Sequence, residues 1–169
     1  MARWNSVNTS WTPTAVGDGA NFTSNGIHAL QGASATQRMN ILEVYLGGQA
    51  TSSAANWMIL ARDSTFAAGT VTAGTNGKAP VALDPATAAL TNPPITYCAV
   101  TTTQGQRSST LYLANLSFNA FGGIVRWVAA PGEEIGMLGN AASFGETSIS
   151  AFTGSGTGLL GTHYIFEPF

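Results

Sequence analysis

Residues 118–139 read FNAFGGIVRWVAAPGEEIGMLG. An enzyme could use Glu133 and Glu134 as acids and Gly122-Gly123 as a binding loop. A shell protein would use the same letters as strands and turns. The alternation decides for strands. In IVRWVAA, Ile124, Arg126 and Val128 fall on one side of an extended chain, and Val125, Trp127 and Ala129 on the other. Gly122-Gly123 sits between two strand patterns, where glycine accepts positive φ without steric cost; that is hairpin chemistry. A phosphate-binding glycine loop needs a following helix, and IVRWVAAPG does not read as one. Glu133 and Glu134 follow Pro131-Gly132. Adjacent strand residues face opposite ways, so the two are not a facing carboxylate pair. The stretch reads as strand, glycine turn, strand, Pro-Gly turn, strand.

The same texture extends in both directions. Strands are expected in RMNILEVYLGG, NWMILAR, GTVTAG, ITYCAVTT, STLYLANLSF, ETSISAFTG and THYIFEP, with one or two more in GANFTSNGIHALQG. In TLYLANL, Leu111, Leu113 and Asn115 share one face, and Tyr112, Ala114 and Leu116 the other. Tyr164 and Phe166 of the closing strand are expected in the core. DPATAAL offers Asp84 as an N-cap and Pro85 at a first helical position, enough for one helical turn. Eight to ten short strands joined by Gly, Pro and Asn turns predict an all-β fold, an antiparallel β-sandwich of jelly-roll type. Residues 1–18 read as an N-terminal arm and 19–169 as the jelly-roll domain. Residues 69–94 hold four of the chain's seven prolines and read as a long Pro/Gly/Thr-rich loop.

Composition narrows the function. The chain has 169 residues, enough for one domain with a sizeable core. Charged residues are 8% of it, against about 25% in ordinary globular domains. Net charge is -2, and Gly, Ala, Ser and Thr supply about half of the residues. Such a surface has little charge repulsion to keep copies apart, so much of it is expected to be covered by other subunits. Arg3, Arg38, Arg62, Lys78, Arg107 and Arg126 are scattered, which argues against nucleic acid as a partner. No run of 18 apolar residues suggests a membrane-crossing helix, and MARWNSVNTSW lacks the apolar middle of a signal peptide. The product is expected to be made and kept in the cytoplasm, or released by lysis. The lone Cys98, in ITYCAV, reads as a buried, inert thiol.

Chemistry is hard to find. The two histidines, His28 and His163, form no metal-ligand spacing. No nucleophile elbow or phosphate loop is present, and the acids look isolated. Neither a cofactor nor a metal nor a catalytic residue is expected, and the chain is not expected to be an enzyme. Arg126, flanked by apolar residues, needs a partner if it is covered, and Glu43, Glu134 or Glu167 could supply it.

Residues 25–169 resemble a family. STLYLANLSFNAFGGIVRWVAAPGEEIGMLGNAASFGETSISAFTGSGTGLLGTHYIFEP combines N-x-F-G-G, R-W-x-A-x-P-G, G-x-x-x-x-G-E and a closing H-Y-x-x-E. RMNILEVYLGGQATSSAANWMILAR and ALDPATAAL fit the same pattern. The stretch is similar to the jelly-roll cement, or decoration, proteins of tailed bacteriophage capsids. The resemblance implies a homotrimer on the capsid exterior, with the major capsid protein as partner and the virion as location. The residues expected at such an interface are Trp4, Trp11, Arg126, Trp127, Glu134 and His163. Trp4 and Trp11 could instead cap their own sandwich. Two other readings remain: a carbohydrate- or receptor-binding jelly roll of a phage fibre or tail, hinted at by Trp57 and Trp127, and a jelly-roll shell subunit. A cupin-like enzyme would need a histidine cluster that two histidines cannot supply.

Overall fold

The computed structural model describes residues 2–22, 26–32, 34–65, 71–72, 80–90, 94–97, 99–100, 105–139, 145–152 and 158–169. They form fifteen strands. The first five are β1 (Trp4–Trp11), β2 (Ile27–Gln31), β3 (Arg38–Gly48), β4 (Ala55–Asn56) and β5 (Met58–Thr65). Next come β6 (Val71–Thr72), β7 (Val81–Ala82), β8 (Ile95–Tyr97), β9 (Ala99–Val100) and β10 (Gln106–Asn115). The last are β11 (Phe118–Asn119), β12 (Ile124–Val128), β13 (Ile135–Leu138), β14 (Glu146–Ala151) and β15 (Leu160–Pro168). There is no helix among the described residues. The helical turn expected at Asp84–Pro85 is only a turn, in which Asp84 Oδ1 accepts from Ala86 N at 2.9 Å. Cys98 lies outside the described residues, as does much of the long loop.

The strands form two antiparallel sheets and two small ribbons. Sheet A runs β12-β3-β15-β1-β7, with β13 also on β3; sheet B runs β10-β5-β14-β2-β8. Every pairing between named strands is antiparallel. Along the chain the longer strands change sheet at every step but one: β1, β3, β12 and β15 lie in A and β2, β5, β10 and β14 in B, with β5 followed by β10 in the same sheet. One core joins the sheets. Sheet A contributes Trp4, Met39, Ile41, Val44, Leu46, Tyr164 and Phe166; sheet B contributes Leu30, Met58, Leu60 and Ile149. Tyr164 and Phe166 have no exposed surface, as the sequence predicts for an alternating strand at the middle of a sheet.

The decisive stretch is three strands with a refinement. Gly122 has φ of 71° and Gly132 of 87°, so both turns use the conformation that glycine supplies. The Pro-Gly turn does not reverse the chain, however. β12 pairs with residues 43–47 of β3 and β13 with residues 38–41. The two lie end to end along one edge of β3, and residues 129–134 loop out between them.

Two register shifts break the simple period. β15 pairs Ile165 with Glu43 but Phe166 with Ile41, so Leu42 is an extra residue and both Ile41 and Val44 face inward. β10 slips against β5 between Arg107 and Tyr112 and again before Ala114. The clean two-face split expected for Leu111–Leu116 is therefore lost: Leu113, Ala114 and Leu116 all touch the core, while Tyr112 is 39% exposed.

Gly48 marks a close approach. A Cβ there would lie 2.1 Å from the carbonyl oxygen of Ala120, whereas a Cβ at Gly47 would meet nothing within 4 Å. Gly48→Ala is expected to cost about 2–3 kcal/mol, and Gly47→Ala to leave stability unchanged or raise it by under about 1 kcal/mol. Urea midpoints of the two variants measure the difference; equal midpoints would contradict this packing.

Candidate functional site: an open sheet face and a buried polar network

The outer face of sheet A is the first candidate. Register builds it in rows. One row is Arg126, Tyr45, His163 and Val7; another is Val128, Glu43, Ile165, Asn5 and Val81; a third holds Ile124, Gly47 and Gly161. Ile124 is 76% exposed, Val81 57% and Val128 49%. The Arg126 guanidinium donates to Glu43 Oε2 at 2.7 Å and 3.2 Å and lies 4.9 Å from the centre of the Tyr45 ring. On its other side Tyr45 stacks with His163, centroids 5.3 Å apart. Tyr45 also donates its hydroxyl to Glu43 at 2.9 Å. The hydrogen bond from Arg126 holds the Glu43 carboxyl below its ordinary range, and burial lowers His163. At neutral pH the histidine is therefore uncharged. Beside these rings, Gly47, Gly48, Gly122 and Gly161 floor a shallow depression of about 500 Å³, with Ile124 and Gln49 on its rim.

The expected interface residues divide between this face and the core. Arg126 and His163 lie on the face, and of the three acids proposed for Arg126, Glu43 is the partner. Glu134 sits at the margin with Arg3 and Val128. Its carboxylate accepts from Gly132 N at 3.1 Å, which makes it a turn cap. Trp127 points the other way from Arg126 and packs against the core. Trp4 and Trp11 are 7% and 5% exposed. They belong to the core of their own chain, in a strand paired on one side with β15 and on the other with β7. Residues 4–11 are thus part of sheet A and do not stand off as an arm. The cause is a bulge between Asn8 and Trp11, which turns Trp11 to the same face as Trp4.

Polar groups cross the core itself. His28 of β2 bonds Thr162 Oγ1 through Nδ1 at 2.6 Å and Ser6 Oγ through Nε2 at 3.2 Å. Trp11 Nε1 donates to the same Thr162 hydroxyl at 3.2 Å. Tyr164 donates to the His28 carbonyl at 3.1 Å. These bonds tie sheet B to sheet A.

The outer face of sheet B carries a second network, which sequence reasoning missed. Arg107 is fully buried. It donates Nε to Asp18 Oδ1 at 2.9 Å, Nη1 to Ser150 Oγ at 2.6 Å and to the Ala151 carbonyl at 3.3 Å, and Nη2 to the Val16 carbonyl. Asp63, in register with Arg107, is 1% exposed and accepts from Ser148 Oγ at 2.7 Å. Burial, then the charge of Glu146 beside it and a hydrogen bond between the two, push the Asp63 carboxyl well above its ordinary range. A shared proton allows two carboxyls to sit together in such a place. Asp18, Asp63, Arg107 and Glu146 are far apart in sequence, so no spacing motif could reveal them. The available signal was a charge inside an apolar strand pattern, as in MILARDST. The pair is a carboxyl dyad in composition but is sealed from substrate: Glu146 is also 1% exposed. No group of three or more His, Cys, Asp or Glu able to hold a metal occurs among the described residues.

Aromatic side chains gather at the margin of sheet B. Trp57, 44% exposed, lies 4.6 Å from Phe152, centroid to centroid, and Tyr112 meets Phe152 edge-on at 6.4 Å. Arg107 lies 5.0 Å from the Phe152 ring centre, and the Tyr112 hydroxyl donates to Asp18 Oδ2 at 2.6 Å. No family model, curated protein or solved structure matches the chain.

His28 gives a pH signature. Burial, with His163 nearby, lowers its pKa from 6.5 to about 3. Above pH 6.5 it is neutral folded and unfolded, so it adds no pH dependence. Below that the unfolded chain takes the proton first, and stability falls until about pH 3, by roughly 5 kcal/mol in all. Chemical denaturation of wild type and His28→Gln from pH 7 to 4 should show the gap between them change in this direction. A gap that stays constant with pH would contradict a neutral buried imidazole.

Proposed function

We propose that the chain is a structural virion protein, a jelly-roll cement or decoration protein that binds the exterior of a tailed-phage capsid as a homotrimer. The observation that carries this reading is the outer face of sheet A. It is five strands wide, with exposed Ile124, Val128 and Val81 and one ion pair, Arg126–Glu43, toward its β12 edge. Large apolar side chains left open on a sheet face favour an interaction site, and here they are interleaved with Glu43, Arg126, His163 and Asn5. Interface cores are depleted in charge. The strand order supports the jelly-roll assignment, because successive long strands cross between two antiparallel sheets at every step except β5 to β10. The resemblance of residues 25–169 to cement proteins supplies the partner class. His28, Asp63 and Glu146 are turned inward and held by neighbouring groups, which favours a binding role over a catalytic one.

The experiment is sedimentation of the purified chain alone and with undecorated capsids of the particle that encodes it. The expected result is a species near three times 17.4 kDa that co-sediments with capsids. Val128→Asp places a new carboxylate beside Glu43 and should weaken assembly at least about tenfold with the thermal midpoint little changed. A monomer that ignores capsids would overturn the reading.

One observation favours a second reading, a glycan-binding module. The exposed Trp57 with Phe152 and Tyr112 offers ring faces beside Asp18, the kind of surface on which sugars stack. A glycan array separates the readings: a specific hit lost in Trp57→Ala would move the function to carbohydrate recognition, and a blank array leaves the cement reading.

A further inference from the structure

Thr12–Phe22 leave sheet A after β1 and strap the far side of sheet B. Val16 N donates to the Ala151 carbonyl at 3.2 Å, Gly19 N to the Arg107 carbonyl at 2.9 Å and Phe22 N to the Gly105 carbonyl at 3.1 Å. Val16 and Phe22 are buried, at 8% and 2% exposure. The side chain that clamps the strap is Arg107, through Asp18 and the Val16 carbonyl. The same guanidinium is the cation next to Asp63 and Glu146. Three carboxyls thus compete for one guanidinium.

We propose that the Asp63–Glu146 pair is a proton-operated latch for the strap: closed while the two carboxyls share a proton, and opened by its loss. With the proton in place, one carboxyl O–H donates to the other carboxylate, and the pair bears one negative charge. Arg107 is then free to spend its donors on the strap and on Ser150 and Ala151. When a solvent base removes the proton, that O–H bond breaks and two carboxylates face each other in a buried site. The nearest positive charge is Arg107. Turning it toward Asp63 relieves the repulsion and releases Asp18 and the Val16 carbonyl.

Arg107 faces the pair from β10 and Ser148 from β14, while Asp18 and Tyr112 lie beyond the guanidinium, bonded to each other and, for Asp18, to Arg107. Gln31, in register with Glu146, is the uncharged neighbour from β2. His28 lies on the opposite, core-facing side, bonded to sheet A. The raised proton affinity of Asp63 gives the sign: a group whose folded pKa is raised stabilises the closed state below its unfolded value and loses that contribution as pH rises through the folded one. Gly105 closes the site from the side of β10. A Cβ there would lie 2.4 Å from Glu146 Oε1 and 3.3 Å from Asp63 Oδ2, so the carboxyls fill the space beneath the strap.

Hydrogen exchange read by mass spectrometry on the intact chain tests the latch, with rates corrected for the chemical effect of pH. In wild type, protection of peptides covering residues 12–22 should fall at least about tenfold as pH rises above the ordinary carboxylate range, while peptides from β3 and β15 hold theirs. Glu146→Gln lets an amide donate to Asp63 with no shared proton, so its strap should stay protected across the range. Asp63→Asn carries the same expectation if that variant does not fold. Asp18→Asn should loosen the strap at every pH. A wild-type strap whose protection is constant with pH would overturn the proposal, as would one that opens only together with β3 and β15. A Glu146→Gln chain that keeps the wild-type pH dependence would overturn it too.

Discussion

β14 reads Glu-Thr-Ser-Ile-Ser-Ala, and none of its residues is exposed. A strand this polar is costly to bury on both faces where its side chains lack partners, because an unpaired buried polar group costs about 1–3 kcal/mol; Thr147 Oγ1, on the core side, is one such group. Much of sheet B is arranged to supply them. Asp63 takes the Ser148 hydroxyl and sits against Glu146, and Arg107 takes the Ser150 hydroxyl and the carbonyl of Ala151. The guanidinium suits this position because its donors form a fixed planar fork, which a lysine ammonium could not match. What remains of the fork reaches Asp18 and Val16. The strap, the edge strand β10 and the middle of sheet B are therefore held by one cation.

That arrangement makes the two sheets unlike each other. Sheet B has a covered outer face, and it uses several of the chain's few charges in doing so. Sheet A is left with an open outer face. Its hydrogen bonding is complete in the centre, where β15 runs between β1 and β3 over most of its length, so the face is rigid. It is also weakly charged. The exposed Arg126–Glu43 pair is screened by solvent and adds little to stability, but it fixes the Tyr45 and His163 rings in a stacked row. A rigid, low-charge surface loses little entropy when another surface settles on it, and this is the physical basis for reading the chain as a component of an assembly.

Much of sheet A was legible in the sequence because its strands obey the period of two. Ile124, Arg126 and Val128 do share the outer side, and Tyr164 and Phe166 do fill the core. The misreadings fall where that period breaks. Trp4 and Trp11 are seven positions apart, so in a regular strand they would face opposite ways. The bulge after Asn8 puts both in the core, and no residue pattern announces it. Leu42 has the same effect in β3, and the slips in β10 scatter a segment that looked alternating. The buried network was invisible for another reason. Ser148 and Ser150 look like solvent-facing polar residues until Asp63 and Arg107 arrive from other strands. The open face was only half legible, since Ile124, Arg126 and Val128 mark one strand of it, while Val7, Val81 and Ile165 join it through pairing alone.

On the proposed reading, sheet A binds through its outer face. Covalent footprinting of the free chain and of its assembled form measures this side chain by side chain. The account predicts that Val7, Tyr45, Ile124, Val128 and His163 lose reactivity on assembly, while Trp57 and Tyr112 at the margin of sheet B keep theirs. Protection confined to Trp57 and Tyr112, with the sheet A face still reactive, would contradict it.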